Sequence, residues 1–266
     1  MHLVATDLDG TVVRPDGTIS ARTRAAFEAC LAGGVHVVYV TGRPPRWMAE
    51  VVAQTGHGGT AICGNGAVVY DLDDERVVQA RTLAPDAVLA CVQRLRSVMP
   101  GTAFALETLA GFVREPAYVA RYDSGVEERT GPLEQLLEDD PGVVKLLCRD
   151  ESSAGDRMLA LARPALDGLA SVTHSNPRDC LVEVSAAGVS KASTLAELAA
   201  ARGVAQADVV AFGDMPNDVE MLAWAGRGYA MTGGHPAAVA AAGRTAPPCL
   251  DDGVAQILEA LLSRPA

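Results

Sequence analysis

"VATDLDGTVV" occupies residues 4–13. An apolar run stops abruptly at two aspartates, Asp7 and Asp9, one residue apart; Gly10 and Thr11 follow, and the apolar residues resume. This predicts a short buried strand that carries two carboxylates to one point. In an open α/β sheet, ligands bind outside the carboxyl ends of the strands. The stretch therefore asks whether the rest of the chain supplies such a sheet.

Working outward, strands alternate with helices. "HLVAT" (2–6) reads as the first strand and "SARTRAAFEACLAGG" (20–34) as a helix, capped by Ser20 and stopped by Gly33–Gly34. "VHVVYV" (35–40) is a continuous apolar strand, as expected when both sheet faces are covered. "TGRPPRWMAEVVAQTG" (41–56) opens with prolines suited to a first helical turn and becomes amphipathic. "TAIC" (60–63) is a third strand, and "AVVYD" (67–71) with "RVVQA" (76–80) form a hairpin across the acidic turn. After residue 184 the alternation returns, with helix "SKASTLAELAAARG" (190–203), strand "DVVAFGD" (208–214), helix "PNDVEMLAWAG" (216–226), strand "GYAM" (228–231), helix "HPAAVAAAG" (235–243) and a last helix after Asp251. "RTAPPCLDDG" (244–253) is the most loop-like stretch there. Such alternation implies a parallel sheet with right-handed crossovers.

The segment between differs. Helix "PDAVLACVQRLRSVM" (85–99), strands "TAFAL" (102–106) and "GFVRE" (111–115), helix "PLEQLLEDD" (132–140) and strand "VVKLLCR" (143–149) are expected in turn. Helix "GDRMLALARPALDG" (155–168) and strands "SVTH" (171–174) and "CLVEV" (180–184) follow. Paired strands with helices suggest an α+β domain on a mostly antiparallel sheet. The fold expected is α/β: a doubly wound, Rossmann-like parallel-sheet core from 1–82 and 184–266, with an α+β domain inserted at 83–183.

Composition bounds the function. Nearly half of the 266 residues are apolar, enough for a sizeable core. The net charge of −11 argues against nucleic acid or an anionic membrane as the main partner. An anionic ligand would then need a local cation. The six cysteines show no CxxC or metal-finger spacing and lie mostly in apolar segments, as buried thiols of a reducing compartment do. There is no basic start followed by a long apolar run, and no uncharged stretch reaches the roughly 18–20 residues of a membrane span. A soluble cytoplasmic protein is expected. Nothing in the sequence sets an oligomeric state.

Four predicted strand ends carry polar residues: Asp7 and Asp9, then Thr41–Gly42–Arg43, then Asn65, then Asp214. With Asp218, four carboxylates are expected to converge. Like charges packed together resist joint ionisation, and a divalent cation removes the conflict. Hard oxygen ligands with no cysteine or histidine suit Mg²⁺ better than zinc. Bland readings exist for each part. An isolated Asp-x-Asp serves most often as a turn or helix cap. The acidic stretches lack the glycine and glutamate of a calcium loop. "GNGAVV" (64–69) lacks the last glycine of a dinucleotide fingerprint, and "GVSKAST" (188–194) lacks the glycine spacing of a P-loop. Their joint placement at strand ends and helix starts is what these readings leave unexplained.

Taken in order, "DLDGT" (7–11), "VTGR" (40–43), "GVSKAST" with Lys191, and "FGDMPND" (212–218) resemble the four motifs of the haloacid dehalogenase-like hydrolases. "GNGA", "GVSK", "GDMPNDVEML" and "DDGVAQIL" narrow the resemblance to the Cof-type phosphatases, in which a cap is inserted between the second and third motifs. One departure is Ala192, where the family commonly has glycine. The resemblance implies that Asp7 is a nucleophile forming an aspartyl-phosphate, and that Asp9 is the general acid and then the base. It implies Mg²⁺ held by the Asp7 side chain, the Asp9 main-chain carbonyl and Asp214, with Asp218 in support. Thr41 and Gly42 would hold phosphate oxygens, Lys191 would neutralise the phosphoryl charge, and Asn217 would orient Lys191 or the phosphate. Arg43, Asn65 and Glu183 flank the motifs and are expected to contact the leaving group, Arg43 as a substrate-binding residue. The partner implied is a small-molecule phosphate ester, a sugar phosphate or a phosphorylated cofactor.

Two alternatives remain at this level. The related phosphomannomutases share the core motifs, but their cap should hold a basic cluster for a second phosphate. Arg114, Arg121, Arg129 and Arg178 are scattered through the inserted segment. A non-catalytic phosphate-ligand sensor would typically lack the nucleophile or the acid, and both are present. The inserted segment is expected to act as a lid that sets specificity, hinged near 82–84 and 184–188 with Gly188 among small residues.

Overall fold

A computed structural model describes residues 1–121, 123–138 and 141–263. The chain divides into two compact units, residues 1–79 together with 190 onward, and residues 80–189.

The first unit begins with β1 (Leu3–Thr6), all of whose residues are buried. Helix α1 (Ala21–Ala32) starts at Ser20, whose hydroxyl accepts from the Thr23 N–H. Then come β2 (His36–Val40), α2 (Met48–Thr55), β3 (Thr60–Cys63), β4 (Val68–Asp71) and β5 (Arg76–Ala80). Helix α2 begins later than the prolines suggested. Pro44 is extended, and residues 45–47 make a separate 3₁₀ turn before the α-helix.

The second unit comprises α3 (Pro85–Val98), β6 (Ala103–Thr108), β7 (Gly111–Arg114), β8 (Arg129–Thr130), α4 (Leu133–Leu136), β9 (Val143–Arg149), α5 (Gly155–Ala165), β10 (Ala170–Thr173) and β11 (Leu181–Ala186). Its six-stranded sheet has the order β10-β11-β9-β6-β7-β8. All pairs are antiparallel except β7 with β8. Side chains alternate along each strand. Leu146 and Cys148 of β9 join the apolar cluster of α3 and α5. Lys145 and Arg149, also buried, take the opposite face. The expected helix over 132–140 is a single turn, and its Asp139 and Asp140 lie outside the described residues. A boundary at Glu183 would cut β11 in mid-strand, because β11 runs on to Ala186.

The first unit resumes with α6 (Lys191–Ala201), β12 (Val209–Gly213), α7 (Val219–Trp224), β13 (Arg227–Met231), α8 (Pro236–Ala242), β14 (Thr245–Ala246) and α9 (Gly253–Leu262). Its eight-stranded sheet has the order β14-β13-β12-β1-β2-β3-β4-β5. From β14 to β3 the strands run parallel, and β4 turns back antiparallel on β3. This is the doubly wound, Rossmann-like arrangement. One sheet face packs Leu3, Ala5, Val38 and Ile62 against α6, α7 and α8. On the other, Phe27 of α1 meets Tyr39 edge-on, ring centroids 6.0 Å apart. Strand order reverses between β1 and β12, so their carboxyl ends form the topological switch point. Among the described residues no helix is long and apolar enough to cross a membrane.

Candidate active site

Three carboxylates from two distant stretches of the sequence meet at that switch point. β1 and β12 are in register, Thr6 opposite Phe212. The Asp7 N–H continues the ladder by donating to the Phe212 carbonyl at 2.9 Å. Asp7 and Asp214 therefore leave adjacent strands side by side. Asp218 closes the loop after β12: its Oδ2 accepts from the N–H groups of Asp214 and Met215, each at 3.0 Å. Asp7, Asp214 and Asp218, all buried, offer oxygens within 4.8 Å of one another.

Lys191 supplies the cation. It is the first residue of α6, whose start is fixed by a capping box between Ser190 and Ser193. Its Nζ donates to Asp7 Oδ1 at 2.5 Å and to Asp218 Oδ1 at 2.7 Å. Three carboxylates thus face one ammonium. Burial pushes the Asp7 carboxyl up to about 7, against the pull of Lys191 and with a further push from Asp218. Burial, then Asp7 and Asp218, push Asp214 up to about 8. Burial opposes the charge on Lys191 as well, but Asp218 and Asp7 outweigh it and hold the ammonium above its usual range.

This donor set fits a divalent cation. The buried carboxylates carry more negative charge than Lys191 balances, and every donor is a hard oxygen. The backbone also leaves room beside them. Gly10, at φ +83°, stands where a Cβ would come within 2.5 Å of Asp214 Oδ2.

The side chain of Asp9 does not join the cluster. It is 60% exposed and is gripped by Arg43, with Nε donating to Oδ2 at 2.8 Å and Nη2 to Oδ1 at 2.5 Å. The expected convergence of four carboxylates is therefore three. The reason is the bidentate guanidinium fork, which matches a carboxylate and holds it outward.

Thr41 and Arg43 follow β2. Thr41 is buried, its N–H donating to the Ile62 carbonyl at 2.8 Å and its Oγ1 accepting from the Arg43 N–H at 3.0 Å. Half-buried Gly42 lies between them. Asn217 is buried, and its Nδ2 donates to Asn65 Oδ1 at 3.0 Å, so Asn217 meets Asn65 rather than Lys191 through this group. Two supports went unassigned at the sequence level. Buried Thr11 donates to Asp214 Oδ1 at 3.3 Å, and Thr194 donates to the Gly66 carbonyl at 2.7 Å. Thr11 lies inside the quoted "DLDGT" stretch, which was the available signal; Thr194 had none beyond its helical spacing from Lys191.

A family model described as haloacid dehalogenase-like hydrolase matches residues 4–258. The chain is 27% identical to the 5-amino-6-(5-phospho-D-ribitylamino)uracil phosphatase of Bacillus subtilis, over 98% of each chain. Among solved structures it resembles a sugar phosphatase of haloacid dehalogenase subclass IIB, with a TM-score of 0.82, 20% identity, and 98% of this chain and 99% of that one covered. It also resembles a haloacid dehalogenase-like hydrolase from B. subtilis, with a TM-score of 0.83, 20% identity, and 98% and 100% covered. The motif order, the buried triad of carboxylates with its lysine, and the match along nearly the whole chain agree: this chain belongs to the haloacid dehalogenase-like hydrolases and groups with their phosphatases.

Proposed function

We propose that the protein is a Mg²⁺-dependent phosphatase that hydrolyses a small phosphorylated metabolite, a sugar phosphate or a phosphorylated cofactor, through an aspartyl-phosphate on Asp7. The observation that carries this reading is the Asp7 carboxylate itself, buried at the switch point and held 2.5 Å from Lys191. Asp7 attacks phosphorus, and the bond to the leaving alkoxide breaks. Lys191 orients Asp7 and offsets the charge spread over the transferring oxygens. Asp9 gives a proton to the alkoxide and later takes one from the water that hydrolyses the intermediate. Thr41, Gly42 and Asn217 hold the phosphoryl oxygens. Asp7, Asp214 and the main-chain carbonyl of Asp9 would hold Mg²⁺, which when bound supplies neutralisation of the phosphoryl oxygens. Asp218, whose oxygens already accept from two backbone N–H groups and from Lys191, anchors the loop and the lysine.

The second unit serves in this reading as the cap that selects the leaving group. Its arginines weigh against a mutase grip on a second phosphate. Arg114 is bonded to Glu128, and Arg121 to Glu151 and Asp179. Arg129 and Arg178 are exposed. Six free thiols, four of them buried, favour the cytoplasm.

Phosphate release from p-nitrophenyl phosphate and a panel of phosphorylated metabolites, with Mg²⁺ and then with EDTA, tests the reading. Release with Mg²⁺ and its loss in EDTA are expected. Failure to hydrolyse any ester with Mg²⁺ present, or indifference to the metal, overturns it.

A further inference from the structure

The turn Gly64–Asn65–Gly66 directly follows β3. Asn65 is 3% exposed and left-handed, at φ 57° and ψ 32°. Side chains disfavour that region, although asparagine tolerates it better than most. A buried, non-glycine residue held there between two glycines implies that its side chain is needed.

The turn reaches the other loops of the site. Gly64 N–H donates to the Arg43 carbonyl and Asn65 N–H to the Thr41 carbonyl, both at 3.0 Å, fixing the loop after β2. Asn65 Oδ1 accepts from Asn217 Nδ2 at 3.0 Å, reaching the loop after β12. The Gly66 carbonyl accepts from Thr194 of α6, the helix that begins with Lys191. Gly66 packs so closely on that helix start that a Cβ would fall 2.2 Å from the Ser190 carbonyl oxygen.

The amide pair has a direction. Asn217 Oδ1 is buried without a hydrogen-bond partner. With Asn65 presenting its oxygen, turning the Asn217 amide over would set oxygen against oxygen, so the orientation of Asn65 decides which end of Asn217 is which. Nδ2 carries two hydrogens. One goes to Asn65, and the second is the donor that Asn217 has to offer a phosphoryl oxygen.

We infer that Asn65 is a positioning residue for phosphate binding: its side-chain oxygen holds Asn217 amide-outward for the phosphoryl group, while its backbone keeps the Thr41–Arg43 loop in register. This rests on the phosphatase reading above. It predicts a defect in phosphate affinity rather than in bond breaking, because the nucleophile and the lysine are untouched.

Asn65→Gly tests it, since glycine takes the left-handed backbone without strain and loses only the amide. Loss of a hydrogen bond that orients a donor to a charged ligand is expected to raise KM for p-nitrophenyl phosphate about tenfold. The inhibition constant of inorganic phosphate rises by the same factor, and kcat and the melting temperature stay near wild type. Asn217→Ala raises KM and the phosphate inhibition constant at least as much, and the double variant is no worse than Asn217→Ala alone. Wild-type KM and phosphate inhibition in Asn65→Gly, or effects that multiply in the double variant, overturn the role of Asn65 alone. A wild-type protein that releases no phosphate with Mg²⁺ overturns the phosphatase reading itself.

Discussion

Arg43 holds Asp9 by both carboxylate oxygens, at 2.8 and 2.5 Å, and so keeps that side chain out of the buried cluster formed by Asp7, Asp214 and Asp218. Two aspartates one residue apart thus have opposite surroundings. One is buried against a lysine, and the other is exposed and paired with an arginine.

This separation makes Asp9→Asn informative. Mg²⁺ affinity should stay within about twofold of wild type, because an exposed carboxylate outside the cluster contributes little to it. Turnover of a sugar phosphate should fall by about a hundredfold or more, the usual scale for removing a general acid. The fall should be smaller for p-nitrophenyl phosphate in the first step, since that leaving group needs no proton. Isothermal titration with Mg²⁺ and steady-state rates on both esters check the two halves.

Asp7→Asn should lower turnover by at least about three orders of magnitude. The metal-free variant should nonetheless be as stable as wild type, or more stable, at pH 8. Burial and Asp218 raise the Asp7 carboxyl to about 7, so its charge is a cost to the folded state at that pH. Thermal melts in EDTA decide the second point.

The pH dependence of metal-free stability follows from the same cause. Asp7 and Asp214 are raised from the ordinary carboxylate value of about 3.8 to about 7 and about 8. Between roughly pH 4 and 8 the folded state therefore binds more protons than the unfolded chain. Stability falls as pH rises through that window and levels off above it. With saturating Mg²⁺ the fall should shrink, because the ion binds the ionised carboxylates. Melting temperatures from pH 5 to 9, with EDTA and with Mg²⁺, are the measurement.

In the second unit, Lys145 and Glu183 form a buried ion pair at 2.5 Å, and Glu107 stands opposite Lys145 in register. Lys145→Met removes the cation from this buried group and should cost roughly 3 kcal/mol at pH 8, read as a lower urea midpoint.

Much of this architecture was legible because the signals are local. The uninterrupted apolar runs of β1 and β2 announce strands covered on both faces, and Ser20 marks the start of α1. Strand β14 was not legible: it is two residues long, inside a proline-bounded stretch that reads as loop. Helix α2 starts later than its prolines suggest, because extended Pro44 leads into a separate turn rather than into the helix. In the site, the acidic residues and Lys191 stood out by their places at strand ends and at a helix start. The outward turn of Asp9 did not, since it depends on a side chain 34 residues away. Asn65 was visible only as a flanking residue, because its bond to Asn217 spans 152 residues.

The central claim is that Asp7 carries the phosphoryl group, and acid-quenched phosphopeptide mapping of Asp9→Asn tests it most directly. That variant lacks the base that hydrolyses the intermediate, so after mixing with p-nitrophenyl phosphate, whose leaving group needs no proton, and Mg²⁺ the phosphoryl mass should accumulate on the peptide containing Asp7. Its absence when Asp7→Asn is combined with Asp9→Asn should follow. A phosphopeptide that does not contain Asp7, or phosphate release at the wild-type rate from Asp7→Asn, would contradict the account.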